Sequence, residues 1–278
     1  MRFLVTLPLA VLAIPPVHAQ TAETPDKSGY TLFNPTPASA LRAFNTDRPT
    51  KSNVATTVDA GHVQYESDLV IHTHSNVGGV STRLVTAIDP VLKVGLTNRT
   101  DLEVQFGGYQ WLSGNQAGIA ARGAGDLTIR AKINLFGNEG GAAVALIPYV
   151  KLPTAAGGLG NGHTEGGVIA PISVPLPLGF TLLLGAEVDV LRNAADAGHH
   201  FNFTQLANIS HPIGGKLNVY AEFYSMVGVD HRTPPVYTFD AAATYAVTDA
   251  LQLDIGANIG LNRNAPNLQI YTGIGQRF

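Results

Sequence analysis

Charged side chains recur at every second position in several stretches of this 278-residue chain. Glu187 and Asp189 form one such pair, and Arg130 and Lys132 form another. Because successive side chains of a β-strand point to opposite faces, each pair lies on one face of a strand. Charges that line an enclosed space set an electric field that selects among solutes, but opposite charges on neighbouring strands also pair and fill that space. The pattern therefore leaves open a charged passage and a packed polar interior.

Sixteen residues share this inward phase and are the candidate lumen-lining set. They are Glu66, Asp68, Asp89, Lys93, Glu103, Arg130, Lys132, Glu187, Asp189, Tyr220, Glu222, Tyr224, Asp240, Asp254, Tyr271 and Arg277. Tyr109 and Trp111 share the phase and would, with these tyrosines, offer a stacking surface to an aromatic solute. The alternative is an interfacial aromatic girdle, reached after a phase slip that Gly107 and Gly108 permit.

Other residue types predict little chemistry. His72 and His74 share a strand face, as a metal chelate requires, but the sequence fixes no third ligand beside them. Ser210 and His211 are adjacent in a strand and point to opposite faces, so they cannot form the nucleophile and base of a lipid hydrolase. The chain has no cysteine, hence no disulfide and no thiolate metal site. We predict no catalytic residue, no metal and no cofactor.

The elements that carry the candidate set are predicted to be strands. In residues 251–261 the odd positions are apolar and the even positions are polar or glycine, and the same alternation recurs in residues 127–135 and 180–190. Every charge in these runs falls on one face. An Arg or Lys on the lipid side of a membrane barrel costs about 2–4 kcal/mol, so the apolar set is expected to face lipid and the charged set the interior.

About twelve such runs, with 10 to 14 allowed, predict an all-β antiparallel transmembrane barrel. The runs are residues 62–74, 80–97, 100–112, 124–136, 141–154, 165–176, 178–191, 200–212, 215–228, 236–247, 250–262 and 268–278. The fifth and sixth runs alternate poorly and contain proline, which removes a ladder donor. Short connections alternate with long polar ones, which is the pattern of periplasmic turns and outer loops.

Both ends of the chain favour the outer membrane. Residues 1–19 have a basic head, an apolar run too short to span a bilayer and a small-x-small cleavage site, so they predict a signal peptide. Residues 20–57 lack a sustained period and are expected to be irregular, either periplasmic or plug-like, and residues 58–278 to form the barrel. The final strand ends on Phe278, and this ending resembles the signal read by the barrel-assembly machinery.

Composition favours the same class of protein. Charged residues make up only 13% of the chain and hydrophobic residues 45%, which would leave the surface of a soluble domain poorly covered. The net charge of -3 and the pI near 6.3 predict no nucleic-acid partner. A sheet with one face in hydrocarbon suits this composition, because charge is expensive there.

Several short stretches, taken in order, resemble the outer-membrane proteins of the meta-pathway phenol-degradation transporter family. They are residues 46–49, 60–66, 95–102, 125–127, 131–132, 148–153, 262–266 and 271–278. The resemblance runs from about Thr46 to Phe278 and implies an outer-membrane channel for passive uptake of small hydrophobic or aromatic compounds. The expected partners are outer-membrane lipid, a small-molecule permeant and the barrel-assembly machinery. The alternatives are an outer-membrane enzyme of the lipid-hydrolase type and a closed structural barrel without transport.

Overall fold

The computed structural model describes residues 26–193, 197–229 and 233–278. The predicted signal peptide, residues 1–19, lies outside the described residues. Within the described ranges, no helix is long and apolar enough to span a membrane. Two single-turn 3-10 helices, Ala38–Ala40 and Pro177–Gly179, are the helical elements of this part of the chain.

Fourteen antiparallel strands make one sheet. They are β1 (Val63–Val77), β2 (Val80–Thr97), β3 (Thr100–Phe106), β4 (Tyr109–Gly114), β5 (Ala120–Ala124), β6 (Leu127–Phe136), β7 (Ala143–Leu152), β8 (Glu165–Pro175), β9 (Thr181–Arg192), β10 (His199–Pro212), β11 (Leu217–Gly228), β12 (Val236–Thr248), β13 (Leu251–Gly260) and β14 (Leu268–Arg277). The wall thus begins at Val63, a few residues after the predicted start of the barrel.

The sheet closes on itself through β1, which pairs with both β2 and β14. The closed ring contains twelve strands, and β4 and β5 extend it beside the far half of β2. The predicted barrel of about twelve antiparallel strands is confirmed. We call the end that carries the connections 98–99, 137–142, 176–180, 213–216 and 249–250 the turn end, and the opposite end the loop end.

The alternation in the sequence becomes two faces of the wall. On β13, Leu253, Ile255 and Ile259 are exposed on the outside, whereas Asp254 and Asn258 between them are buried. Apolar side chains on the outside of a closed sheet form a belt suited to lipid. The inner side carries the charges, so the space enclosed by the ring is polar.

The third and fourth predicted runs are interrupted where the wall bends. Run 100–112 is split into β3 and β4 at Gly107 and Gly108, and β5 forms in the stretch between the third and fourth runs, which was expected to be a connection. Ile88 on the neighbouring strand has φ of 50°, a conformation that is uncommon for a β-branched residue. A Cβ on Gly108 would collide with the carbonyl oxygen of Ile88, so the two breaks lie side by side. Across this bend, the positions that face inward and those that face outward exchange.

The two weakest predicted strands, β7 and β8, do form. Each contains an internal proline, and the pairing of β7 with β8 skips from Val144 to Ile147. Proline lacks the N–H that a ladder needs, so local gaps are the expected result. The backbone pairs on either side of each gap keep β7 and β8 in the wall.

Candidate functional site

The space inside the ring is occupied by part of the N-terminal segment, residues 26–62, whose Phe33 remains 92% exposed. Its backbone and side chains bond to inward-facing groups of β1, β2, β3, β6, β11, β12 and β13. Residues 45–56, which we call the inner loop, lie deepest. Three charged side chains of this loop, Asp47, Arg48 and Lys51, each pair with a different part of the wall.

Asp47 is held by two lysines of the wall. Lys132 Nζ lies 2.8 Å from both carboxylate oxygens, and Lys93 Nζ contacts Oδ2. The backbone N–H of Val54 also donates to Asp47 Oδ1 at 2.8 Å, which closes the loop on itself. Burial opposes ionisation, but Lys132 and Lys93 outweigh it and hold the pKa of Asp47 well below its usual range. Asp47 is therefore ionised and fixed between β2 and β6.

Arg48 makes a forked contact with β13 and a further contact with β1. Its Nε and Nη2 donate to the two oxygens of Asp254 at 2.8 and 2.7 Å, and Nη2 also lies 2.8 Å from Asp68 Oδ1. The side chain of Asp254 is fully buried, so this pair is shielded from water. A Cβ on Gly273 would collide with Nη2 of Arg48, so the glycine on β14 makes the space for the guanidinium.

Lys51 and the residue after it are bound by β11 and β12. Lys51 Nζ pairs with Asp240 and lies 3.0 Å from Thr238 Oγ1. The two backbone N–H groups of Lys51 and Ser52 donate to the two oxygens of Glu222 at 3.0 and 3.1 Å. One wall carboxylate thus fixes two successive peptide groups of the inner loop.

A second set of charges holds the segment near the turn end. Arg42 Nη1 lies 3.1 Å from Asp59 Oδ1, and Arg42 Nη2 lies 2.9 Å from Glu139 Oε1 in the connection after β6. Lys27 Nζ lies 2.6 Å from the other oxygen of Glu139. Asp101 on β3 accepts from the N–H of Val58 at 2.8 Å. The segment is therefore attached at its base as well as at its tip.

Cavities lie on both sides of the inner loop. The cavity toward the loop end, the outer pocket, has a volume of about 220 Å³ and is lined by Asp47, Arg48 and inward residues of the wall. Toward the turn end, cavities of about 530 Å³ and 280 Å³ share Asn45, Val54 and Thr56 of the loop as lining. The inner loop separates the outer pocket from the other two.

The sequence matches a family model described as "Putative MetA-pathway of phenol degradation" over residues 46–278. The chain belongs to this family. The match begins at Thr46, so it includes the inner loop and the whole wall. The resemblance that the sequence motifs indicate is thereby confirmed.

Three solved structures share this fold. The COG4313 outer membrane channel from Pseudomonas putida F1 is 15% identical, with a TM-score of 0.63 over 84% of this chain and 100% of the other. The NanC porin is 8% identical, with a TM-score of 0.51 over 77% and 98%. The translocator domain of the autotransporter NalP from Neisseria meningitidis is 15% identical, with a TM-score of 0.51 over 78% and 88%. A search of curated proteins gives no significant match. At these identities the likeness establishes the barrel fold.

In this family member, the sixteen candidate residues all lie on the inner side of the wall. The buried ones are Glu66, Lys93, Glu103, Lys132, Asp189, Glu222, Asp240, Asp254 and Tyr271. The half-buried ones are Asp68, Asp89, Arg130, Glu187, Tyr220, Tyr224 and Arg277. Nine of the sixteen contact the inner loop directly: Glu66, Asp68, Lys93, Arg130, Lys132, Glu222, Tyr224, Asp240 and Asp254. Glu187 and Asp189 stand apart, nearer the loop end, where Tyr149 donates to Asp189 Oδ1 at 2.6 Å.

Tyr109 and Trp111 lie outside the wall, 46% and 45% exposed. The phase slip at Gly107 and Gly108 turns them outward, and their ring centroids are 4.7 Å apart. The two rings are therefore not part of an inner stacking surface, and their place in an interfacial girdle stays a prediction. His72 is exposed on the outside, and no group of three or more potential metal ligands exists among the described residues.

Sequence reasoning missed Asp47, Arg48 and Lys51 as site residues, because the segment that carries them has no period. The charge balance of the sixteen candidate residues could have indicated that such residues exist. It contains nine carboxylates against four cations, Lys93, Arg130, Lys132 and Arg277. A buried surface with such an imbalance needs cations from elsewhere in the chain, and Arg48 and Lys51 supply two of them.

Proposed function

We propose that this protein is an outer-membrane channel for passive movement of small solutes, and that the inner loop is its gate. The observation that carries the proposal is that the loop fills the ring through ion pairs and hydrogen bonds, with cavities on either side. In the proposed orientation the turn end faces the periplasm. The final strand, ending at Phe278, engages the barrel-assembly machinery, and outer-membrane lipid covers the apolar belt.

The chemistry of the filling supports a gate over a permanent core. Charged groups that leave the wall become hydrated, so part of the free energy lost on separation is regained from water. An apolar filling would not have this compensation. In the described chain the cluster of buried apolar residues around the loop is small, Ala55 with Ala143 and Ala145, and Val54 of the loop is buried as well. The loop is therefore bound by interactions that water can replace.

The solutes are proposed to be small hydrophobic or aromatic compounds. The description of the family supports this class. Size also supports it, because the cavities beside the loop, at about 220 to 530 Å³, suit single small molecules rather than oligomers. Protein and lipid cargo are too large for such spaces.

The experiment is single-channel recording of the purified protein in a planar bilayer, with and without simple aromatic solutes. Current steps that a solute blocks or modulates are the expected result. Lys93, Lys132 and Glu103 are almost fully buried, which favours a closed structural barrel as the second candidate. A correctly folded barrel that conducts nothing and leaves liposomes impermeable to small aromatics would establish that candidate.

A further inference from the structure

His62 lies at the turn end, where the first strand of the wall meets the last. It directly precedes β1, and its neighbour Val63 accepts a hydrogen bond at 2.8 Å from the backbone N–H of Phe278, which follows β14. The ring of His62 makes two contacts. Nε2 lies 2.8 Å from the backbone oxygen of Thr36, and Nδ1 lies 3.1 Å from the backbone oxygen of Phe278. One imidazole therefore joins the N-terminal segment to both strands that close the barrel.

The two contacts together require two protons on the ring. A backbone oxygen only accepts hydrogen bonds, so each ring nitrogen must carry an N–H to bond it. A neutral imidazole has one N–H, whereas the imidazolium has two. Turning the ring over would place carbons at both positions and leave neither oxygen bonded. The arrangement is therefore that of a protonated histidine.

Residues 31–36, which we call the arm, are the part of the N-terminal segment that this ring holds. The N–H of Thr36 donates to the backbone oxygen of Ala60 at 2.9 Å, so Thr36 is bonded through both its N–H and its oxygen. A Cβ on Gly61, whose φ is 77°, would collide with Pro35. The arm thus lies directly against the turn that leads into β1, and the ring fixes it there.

The charged groups around His62 respond to pH in a different sense. On the surrounding elements they are Lys27, Asp59, Lys93, Asp101 and Arg277. Lysine and arginine side chains ordinarily keep their charge between pH 5 and 8. The carboxylates hold the segment as acceptors, since Asp59 pairs with Arg42 at 3.1 Å and Asp101 accepts from the N–H of Val58 at 2.8 Å. Protonation of either carboxylate would weaken the attachment in acid, whereas protonation of His62 strengthens it.

We infer that His62 is a pH-dependent latch, which when protonated ties the arm to the closing strands of the barrel and when neutral releases one of its two contacts. Histidine changes charge between pH 5 and 8, and this ring is half-buried at the turn end, within reach of solvent. The latch is complete at the acid end of that range and weakens as the pH rises. It adds regulation to the proposed gate, because the arm precedes the inner loop in the same segment. Only its effect on conduction rests on that function.

Hydrogen exchange, measured by mass spectrometry on the purified full chain in detergent, tests the latch. The protection factor of the peptide that contains Thr36, with the intrinsic exchange rate at each pH divided out, should fall about tenfold from pH 5.5 to pH 8.5. This is the order expected when one hydrogen bond from a charged donor is lost. His62→Gln does not titrate and should show the lower protection at both pH values. His72→Gln, exposed on the outer face of β1, is the matched control and should behave as the unsubstituted chain does.

Gel migration on heating will show that the barrel of each variant has formed. Equal protection of the unsubstituted chain at the two pH values, or a fall that persists in His62→Gln, overturns the latch. Should His62→Gln fail to fold, nuclear magnetic resonance of the unsubstituted protein with nitrogen-15 histidine still decides. One ring should show two slowly exchanging N–H groups at pH 5.5, and a spectrum without such a ring overturns the latch. A latch that responds to pH in a barrel that never conducts upholds the inference and refutes the gate, and conduction with pH-independent protection does the reverse.

Discussion

Replacing Arg48 by Gln should release the inner loop. The substitution removes the cation that lies between Asp254 and Asp68, whose side chains are 0% and 19% exposed. Breaking a buried pair by removing one partner costs about 3–5 kcal/mol. We take the lower end, about 3 kcal/mol, because Asp68 is partly exposed and faces a cavity. Since 1.4 kcal/mol is a tenfold change, the equilibrium between the seated and displaced loop should shift by roughly a hundredfold.

Planar-bilayer recording measures this shift as open probability. The Arg48→Gln protein should show frequent or larger conductance steps under conditions in which the unsubstituted protein is mostly closed. Arg83→Gln is the control, because Arg83 is exposed at the outer side of β2. Retained heat-modifiable migration on gels would show that the barrel itself has formed. Equal open probability in the two variants, with both barrels intact, would refute the claim that the Arg48 pairs hold the loop.

Three further changes test other parts of the structure. Gly273→Val should displace the guanidinium of Arg48 and raise open probability as Arg48→Gln does, and an unchanged recording would contradict that contact. Ile255→Arg on the lipid face should impair membrane assembly by about 2–4 kcal/mol, whereas Ile213→Arg in a turn should not, as gel shift on heating will measure. Burial opposes ionisation of Glu139, but Lys27 and Arg42 outweigh it and hold the pKa of this carboxyl below its usual value. The attachment of the N-terminal segment through Glu139 should therefore survive acid that protonates an ordinary glutamate and weaken only at lower pH. Protease access to the segment will measure this, and Glu139→Gln should remove the pH dependence.

Alternation was sufficient to predict most of the wall. Strand β13 has apolar and polar residues in strict turn, and its exposed Ile255 and buried Asp254 follow that phase. Alternation alone does not locate the bend at Gly107 and Gly108, because a period of two carries no information about where it slips; the two glycines themselves were the sign that a slip was permitted there. The slip depends on contact with Ile88 on another strand.

The hydrophobic periodicity of the sequence gives no information about where the inner loop lies. Asp47 and Arg48 sit in an irregular segment, and their positions are decided by wall residues that are distant in sequence, such as Lys132 and Asp254. Inward glycines were a usable sign. Gly273 and Gly275 alternate on β14 where the candidate phase would otherwise place larger side chains, and both make room for the loop. Small residues at successive inward positions of a strand thus indicate that another part of the chain fills the space.

A disulfide that locks the inner loop in place tests most directly whether the loop must move for solutes to pass. A Cβ at position 275 would lie 3.8 Å from the Cβ of Thr46, which matches the separation in disulfides, and the chain has no cysteine of its own. The Thr46→Cys, Gly275→Cys protein should lose its conductance steps when oxidised and regain them on reduction, while each single variant should be insensitive to oxidant. Identical conductance in the oxidised and reduced forms, with the cross-link confirmed by mass spectrometry, would contradict a gate formed by this loop.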